Sequence, residues 1–273
     1  MRYARRCVVF PSLFLLILLP ACVSIPERTV DKANPIRTVA ILPFINNTNN
    51  VDGPAKMQTH LTAAMYERYY DVIEPGEVNK TLKDQMGLTL GAQLDMAKPD
   101  LLCKTFNVDG LLYGSLDDYI VKPTGVYTIK RVRARTKLVD CKTGSVVWKG
   151  GAGGKSQEAR GGTVGALVGA AASIGSAVSD VTEGELPPLL GDKIEAPWFD
   201  VPPPPRQQQS GLAGAIAEVV VGIVESVVQH AAGTSLAREE FAVATTTLDG
   251  YFHEATVTGK NEKGLRSGPA EED

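Results

Sequence analysis

The chain has 273 residues, enough to bury one or two cores, with 28 Lys and Arg against 31 Asp and Glu and a formal net charge of −3. Residues 1–21 hold three of the basic side chains and no acidic one, which leaves 25 basic against 31 acidic residues in the remainder and argues against nucleic acid as a partner. The three histidines, His60, His230 and His253, are too scattered for a metal triad, so neither a metal nor another cofactor is expected.

Arg2, Arg5 and Arg6 precede the uncharged run Val8 to Leu19. The run is shorter than the ~20 residues of an ordinary membrane helix and suits the apolar core of an export signal, with an uncleaved anchor helix as the alternative. Leu19-Pro20-Ala21-Cys22 resembles the lipobox of bacterial lipoproteins. The resemblance implies cleavage before Cys22, lipid on its thiol and acylation of the new amino terminus. Several acyl chains hold a protein stably on a bilayer, and Val23 in place of an aspartate implies the outer membrane. Residues 1–21 then form a signal peptide. Residues 22–36, with two prolines and no period, form a lipidated tether.

Residues 37–156 carry the pattern of a folded domain. Val39 to Phe44 is an apolar run of the kind that forms a strand buried on both faces. After the polar loop Asn46 to Asp52, a proline-led helix places Met57, Leu61, Met65 and Tyr69 on one face. Tyr70 to Glu74 reads as a second strand. Val78, Leu82 and Met86 mark a helix that stops at Gly87, and Pro99 to Phe106 starts another. Val108 to Val121, Gly125 to Asp140 and Ser145 to Lys149, joined by short turns, predict an antiparallel meander. The expected class is α/β, a mixed sheet with helices packed on one face and glycine-rich C-terminal helices after it. Cys103 in a helix and Cys141 at a hairpin turn are expected as two separate thiols. A disulfide, which an export compartment permits, is the alternative.

Thr38-Val-Ala-Ile-Leu-Pro-Phe-Ile-Asn-Asn-Thr48, Val108-Asp-Gly-Leu-Leu-Tyr-Gly114 and Lys137-Leu-Val-Asp-Cys-Lys-Thr-Gly-Ser-Val-Val-Trp148 resemble, in residues and in order, a family of outer-membrane lipoproteins. That family is related to the curli-secretion lipoprotein CsgG, the penicillin-binding-protein activator LpoB and the amino-terminal domain of TolB. The resemblance covers residues 22–154 and implies a compact α/β domain, with no catalytic residues to carry over. Cys141 departs from the turn pattern, and the insert Glu183 to Ser210 has no counterpart.

The remaining features suggest surfaces more than chemistry. Lys149-Gly-Gly-Ala-Gly-Gly-Lys-Ser156 has lysine where a phosphate-binding loop requires glycine, so it reads as a flexible exit from the last strand. Arg131, Arg133, Arg135 and Lys137 alternate along one strand and share a face, expected to pair locally with Asp117 or other carboxylates on neighbouring strands, with an acidic protein, anionic lipid headgroups or a glycan polymer as the alternative partner. The adjacent pairs Asp117-Asp118 and Glu239-Glu240 are expected to point apart. Residues 157–253 are read as glycine-rich helices, with Gly165 and Gly169 spaced for close helix packing. The proline-rich insert 183–210 interrupts them as a semi-rigid connector, in which Trp198 is either a docking anchor or folds back. Ser235 to Tyr251 is a last helix, and 254–273 a disordered tail.

The function expected is that of a non-enzymatic, lipid-anchored outer-membrane protein facing the periplasm, an accessory or assembly factor for an envelope or secretion machine. Its partners would be the membrane through Cys22, further copies of itself and envelope proteins. A CsgG-like oligomeric secretion pore is the alternative and would require lipid-facing strands of about ten residues.

Overall fold

The computed structural model describes residues 30–124, 127–159, 185–202, 235–249 and 264–269. Cys22, Gly165, Gly169 and the two expected glycine-rich helices lie outside the described residues.

The first apolar run forms β1 (Thr38–Ile41) and, after Pro43 interrupts its donors, β2 (Ile45–Asn46). The Asn50 side chain accepts hydrogen bonds from the Asp52 and Gly53 amides, and α1 (Gly53–Tyr66) follows with proline in its first turn. Next come β3 (Asp71–Ile73), α2 (Pro75–Met86), a 3₁₀ turn at Gly91–Met96 and α3 (Pro99–Phe106). The long strands are β4 (Gly110–Pro123), β5 (Tyr127–Asp140) and β6 (Val146–Ala159). A three-residue β7 (Trp198–Asp200) and α4 (Ala237–Asp249) complete the described elements.

The sheet runs β3-β1-β4-β5-β6-β7, with β2 also on β4. β3, β1 and β4 are parallel, β4-β5-β6 is the antiparallel meander, and β7 joins β6 in parallel. The mixed α/β class is therefore the observed one. Its layering differs from the expectation of helices on one face. Val39 and Ile41 pack with Met57, Leu61 and Met65 of α1 and Val243 and Leu248 of α4. Ala40 and Leu42 pack with Val78 and Leu82 of α2 and Leu102 and Phe106 of α3. Chain direction explains this: β1-α1-β3 steps one way along the sheet, and β3-α2-α3-β4 steps back past β1. Two right-handed crossovers of opposite sense lay their helices on opposite faces.

Four further expectations are corrected. Cys103 and Cys141 form a disulfide, their Cα atoms 5.6 Å apart, because α3 packs against β4 and the Cys141 amide, just past the end of the neighbouring β5, bonds the Asp109 carbonyl at 2.8 Å. The glycine-rich exit is part of β6, paired to β5 as far as Ala159. Residues 185–202 of the proline-rich connector lie on the sheet and contribute β7, joined to β6 by Gly153 N to Pro197 O and Val201 N to Lys155 O, both 2.8 Å. Residues 264–269 of the expected disordered tail are docked. The Gly268 amide donates to the Arg68 carbonyl, the Leu265 amide to the Leu248 carbonyl, and Arg266 pairs with Asp31 at 2.6 Å.

Candidate functional site

The alternation of β5 brings Arg131, Arg133, Arg135 and Lys137 to one face, as its sequence pattern indicates. The partner strand β4 has a register shift between Leu116 and Asp118. Such a bulge inserts one residue and re-aims the side chains on either side of it. Asp117 and Asp118 consequently serve the same face, against the expectation that they point apart. Arg135 holds Asp117 in a two-pronged pair, Nε to Oδ2 and Nη2 to Oδ1 both at 2.6 Å, with side chains 1% and 2% exposed. Asn47 adds a third hydrogen bond to Asp117. Arg131 pairs with Asp118 at 2.9 Å. Burial pushes the Asp118 carboxyl above its ordinary range despite Arg131 and Arg133 beside it.

Residues 185–202 lie across this cationic row as a strap. Its backbone carbonyls accept from three of the cations: Pro187 from Arg135 (2.5 Å), Leu190 from Lys137 (3.1 Å) and Ala196 from Arg133 (2.7 Å). A tight turn with Leu190 at φ 47° and Gly191 at φ 85° sets Asp192 between Lys137 and Lys149. Those two hydrogen bonds hold the Asp192 carboxyl below its ordinary range. The indole of Trp198 stacks against Arg131 and Arg133, with guanidinium carbons 5.7 and 5.2 Å from the ring centre. All four residues of the row, and Trp198 with them, are thus engaged within the chain.

The opposite face holds a second polar cluster that the sequence pattern did not reveal. Glu239 and Glu240, in the first turn of α4, are both buried, since this turn is wedged between α1 and the sheet. Glu240 bonds His60 of α1 at 2.9 Å and the hydroxyl of Tyr119 on β4. Glu239 accepts from Ser156 on β6 and from Arg238. Arg238 and the buried Lys130 both pair with Glu158. Burial works to raise the Glu240 carboxyl, but its bonds to His60 and Tyr119 outweigh it and keep the group below the ordinary glutamate value. A charged pair at a helix start is the only sequence signal, and it marks an N-terminus more often than a buried site.

These arrangements can fix elements to one another and present surfaces. Among the described residues there is no group of three or more His, Cys, Asp or Glu side chains placed to hold a metal ion. No described helix is long and apolar enough to cross a membrane.

Residues 29–185 match the profile of a family described as "Putative lipoprotein GNA1162-like". A Neisseria meningitidis serogroup B protein described in similar words, NMB1124/NMB1162, is 28% identical over 146 residues, which is 53% of this chain and 67% of that one. Among solved structures, lipoprotein GNA1162 from N. meningitidis aligns at 26% identity and a TM-score of 0.41, covering 50% of this chain and 95% of its own. The C-terminal domain of LpoB from Salmonella enterica aligns at 15% identity and a TM-score of 0.32, covering 45% and 86%.

Proposed function

We propose that this chain, which belongs to the GNA1162-like lipoprotein family, is an accessory or assembly factor of an envelope or secretion machine and acts by binding proteins, without turnover. In this reading Cys22 carries the lipid, the anchor is in the outer membrane, the body faces the periplasm, and CsgG and TolB are more distant kin. One observation carries it. The chemically most conspicuous residues, the row Arg131 to Lys137 with Asp117 and Asp118, are engaged in holding the fold and its strap. What the molecule offers a partner is shape and surface rather than a reacting centre.

The alternative, a CsgG-like pore subunit, draws on strands of 14 residues each in β4, β5 and β6. Against it stands the covering of these strands by α1 and α4 on one side and by the strap on the other, where a lipid-facing strand needs one bare apolar side.

The two readings separate in one experiment. A photo-crosslinking residue is placed at the exposed strap position Lys193 or at exposed Phe241 on α4, in the full chain in its own membranes, and the particles are sized in detergent. A discrete adduct with an envelope protein, on a monomer or dimer, is the expected result. A large ring that conducts ions would replace this reading with the pore, and substrate turnover by the purified chain would end it.

A further inference from the structure

A partly open cavity of about 320 Å³ lies between the incoming segment Asn34–Ile36, the ends of β5 and β6, and the docked residues Gly264–Arg266. Its size is at the lower end of small-molecule sites, roughly 300–1,000 Å³. Ile36, Leu138, Val147, Trp148 and Leu265 supply apolar walls. The polar side chains of Asn34, Tyr70, Asp140 and Arg266 at its rim are hydrogen-bonded within the protein, and the indole Nε1 of Trp148 is buried without a hydrogen-bond partner among the described residues. Asn34 donates to the Tyr70 hydroxyl at 2.9 Å and to the Ser267 carbonyl at 3.0 Å, and its own oxygen accepts from the Ile36 amide. Tyr70 donates in turn to the Arg266 carbonyl at 2.7 Å, and the Arg266 side chain is held by Asp31. Asp140 accepts from the Lys142 amide and the Thr143 hydroxyl. An occupant therefore finds apolar contact and little directed hydrogen bonding, which favours a hydrocarbon chain over a peptide or a sugar.

We propose that this cavity receives one acyl chain of the lipid that the protein carries on Cys22. The proposal rests on the lipid-anchor reading above. The chain that would bring the lipid runs along the cavity rim at Asn34 and Pro35. Cys22 is 12 residues before Asn34, a tether that reaches ~40 Å when extended at ~3.3 Å per residue. The volume suits part of a single chain and excludes a bundle of them. With one chain sheltered, the remaining acyl groups would hold the membrane, so the depth of anchoring would depend on whether the cavity is filled.

The test uses the full lipidated chain. Cells are fed a diazirine-bearing palmitate, membranes are irradiated, and the purified protein is digested and mapped by mass spectrometry. Crosslinks from the Cys22 lipid to peptides containing Leu138, Trp148 or Leu265 are expected. Val147→Trp, a change at a half-exposed wall position that fills the mouth, should lower their yield at least tenfold while melting temperature and the Cys103–Cys141 bridge are retained. A lipid-bearing Cys22 without cavity crosslinks overturns the proposal and leaves the anchor standing. An unmodified Cys22 overturns both. Cavity peptides crosslinked to membrane phospholipid, with Cys22 lipid elsewhere, would sink the assignment of the occupant.

Discussion

Asp117 shows how much a single residue of irregularity can decide. Without the bulge, period-two alternation would send either Asp117 or Asp118 to the far face, and one arginine of the row would lose its carboxylate. Removing one member of a fully buried pair strands the other charge, a loss of about 3–5 kcal/mol. Asp117→Ala should therefore lower the urea unfolding free energy by that amount, and a change within experimental error would show that Arg135 has another way to be satisfied. Glu240 makes a prediction in pH. Its folded value lies below the ordinary 4.5, so its pairing with His60 and Tyr119 contributes stability in full above that value and loses it as pH falls through the folded one. Glu240→Gln should flatten the acid limb of a stability profile below pH 4.5, and an unchanged limb would place the acid sensitivity elsewhere. The alternating cations could be read from the residue pattern, whereas the bulge could not, because it depends on how β4 meets β5.

Among the elements, β6 departs furthest from its sequence. Propensity disfavours a strand with four glycines, and the strand exists because both of its sides are approached too closely for side chains. A Cβ on Gly150 would collide with the Thr247 carbonyl of α4, and one on Gly151 with the Glu195 carbonyl of the strap. Gly151→Ala should dislodge the strap while leaving the helical layers in place. Limited proteolysis within residues 185–202 should speed up at least several-fold, and equal protection in the variant would mean that the strap yields without leaving. The disulfide closes a loop of 38 residues between α3 and the turn after β5. Chain-entropy arguments assign such a loop about 3–4 kcal/mol. Reduction, or Cys103→Ser with Cys141→Ser, should lower the unfolding free energy from denaturant titration by that much, and an unchanged value would reduce the bridge to a consequence of packing.

For the whole molecule, the sheet has apolar cores on both faces and a polar crust on each, and the described ends of the chain, Asp31 and Arg266, are clasped together. That brings the segment at Asp31 and the docked residues 264–269 to one side of the body. Cys22→Ser should shift the protein from the membrane pellet to the soluble fraction with its melting temperature unchanged, and a variant still firmly in the pellet would require another attachment. Sequence alone determined β1, α1, β3, α2, α3, the meander of β4 and β5 with the start of β6, the last helix α4 and the position of the cationic row, because those follow from local periodicity, proline and glycine punctuation and the short-range chemistry of turns. Tertiary structure alone decided which face each helix covers, where the strap and residues 264–269 dock, that Cys103 meets Cys141, and that Glu239 and Glu240 are buried. Each of these is a contact between segments far apart in the chain, governed by crossover direction and by room between layers, and neither quantity is written in a local pattern.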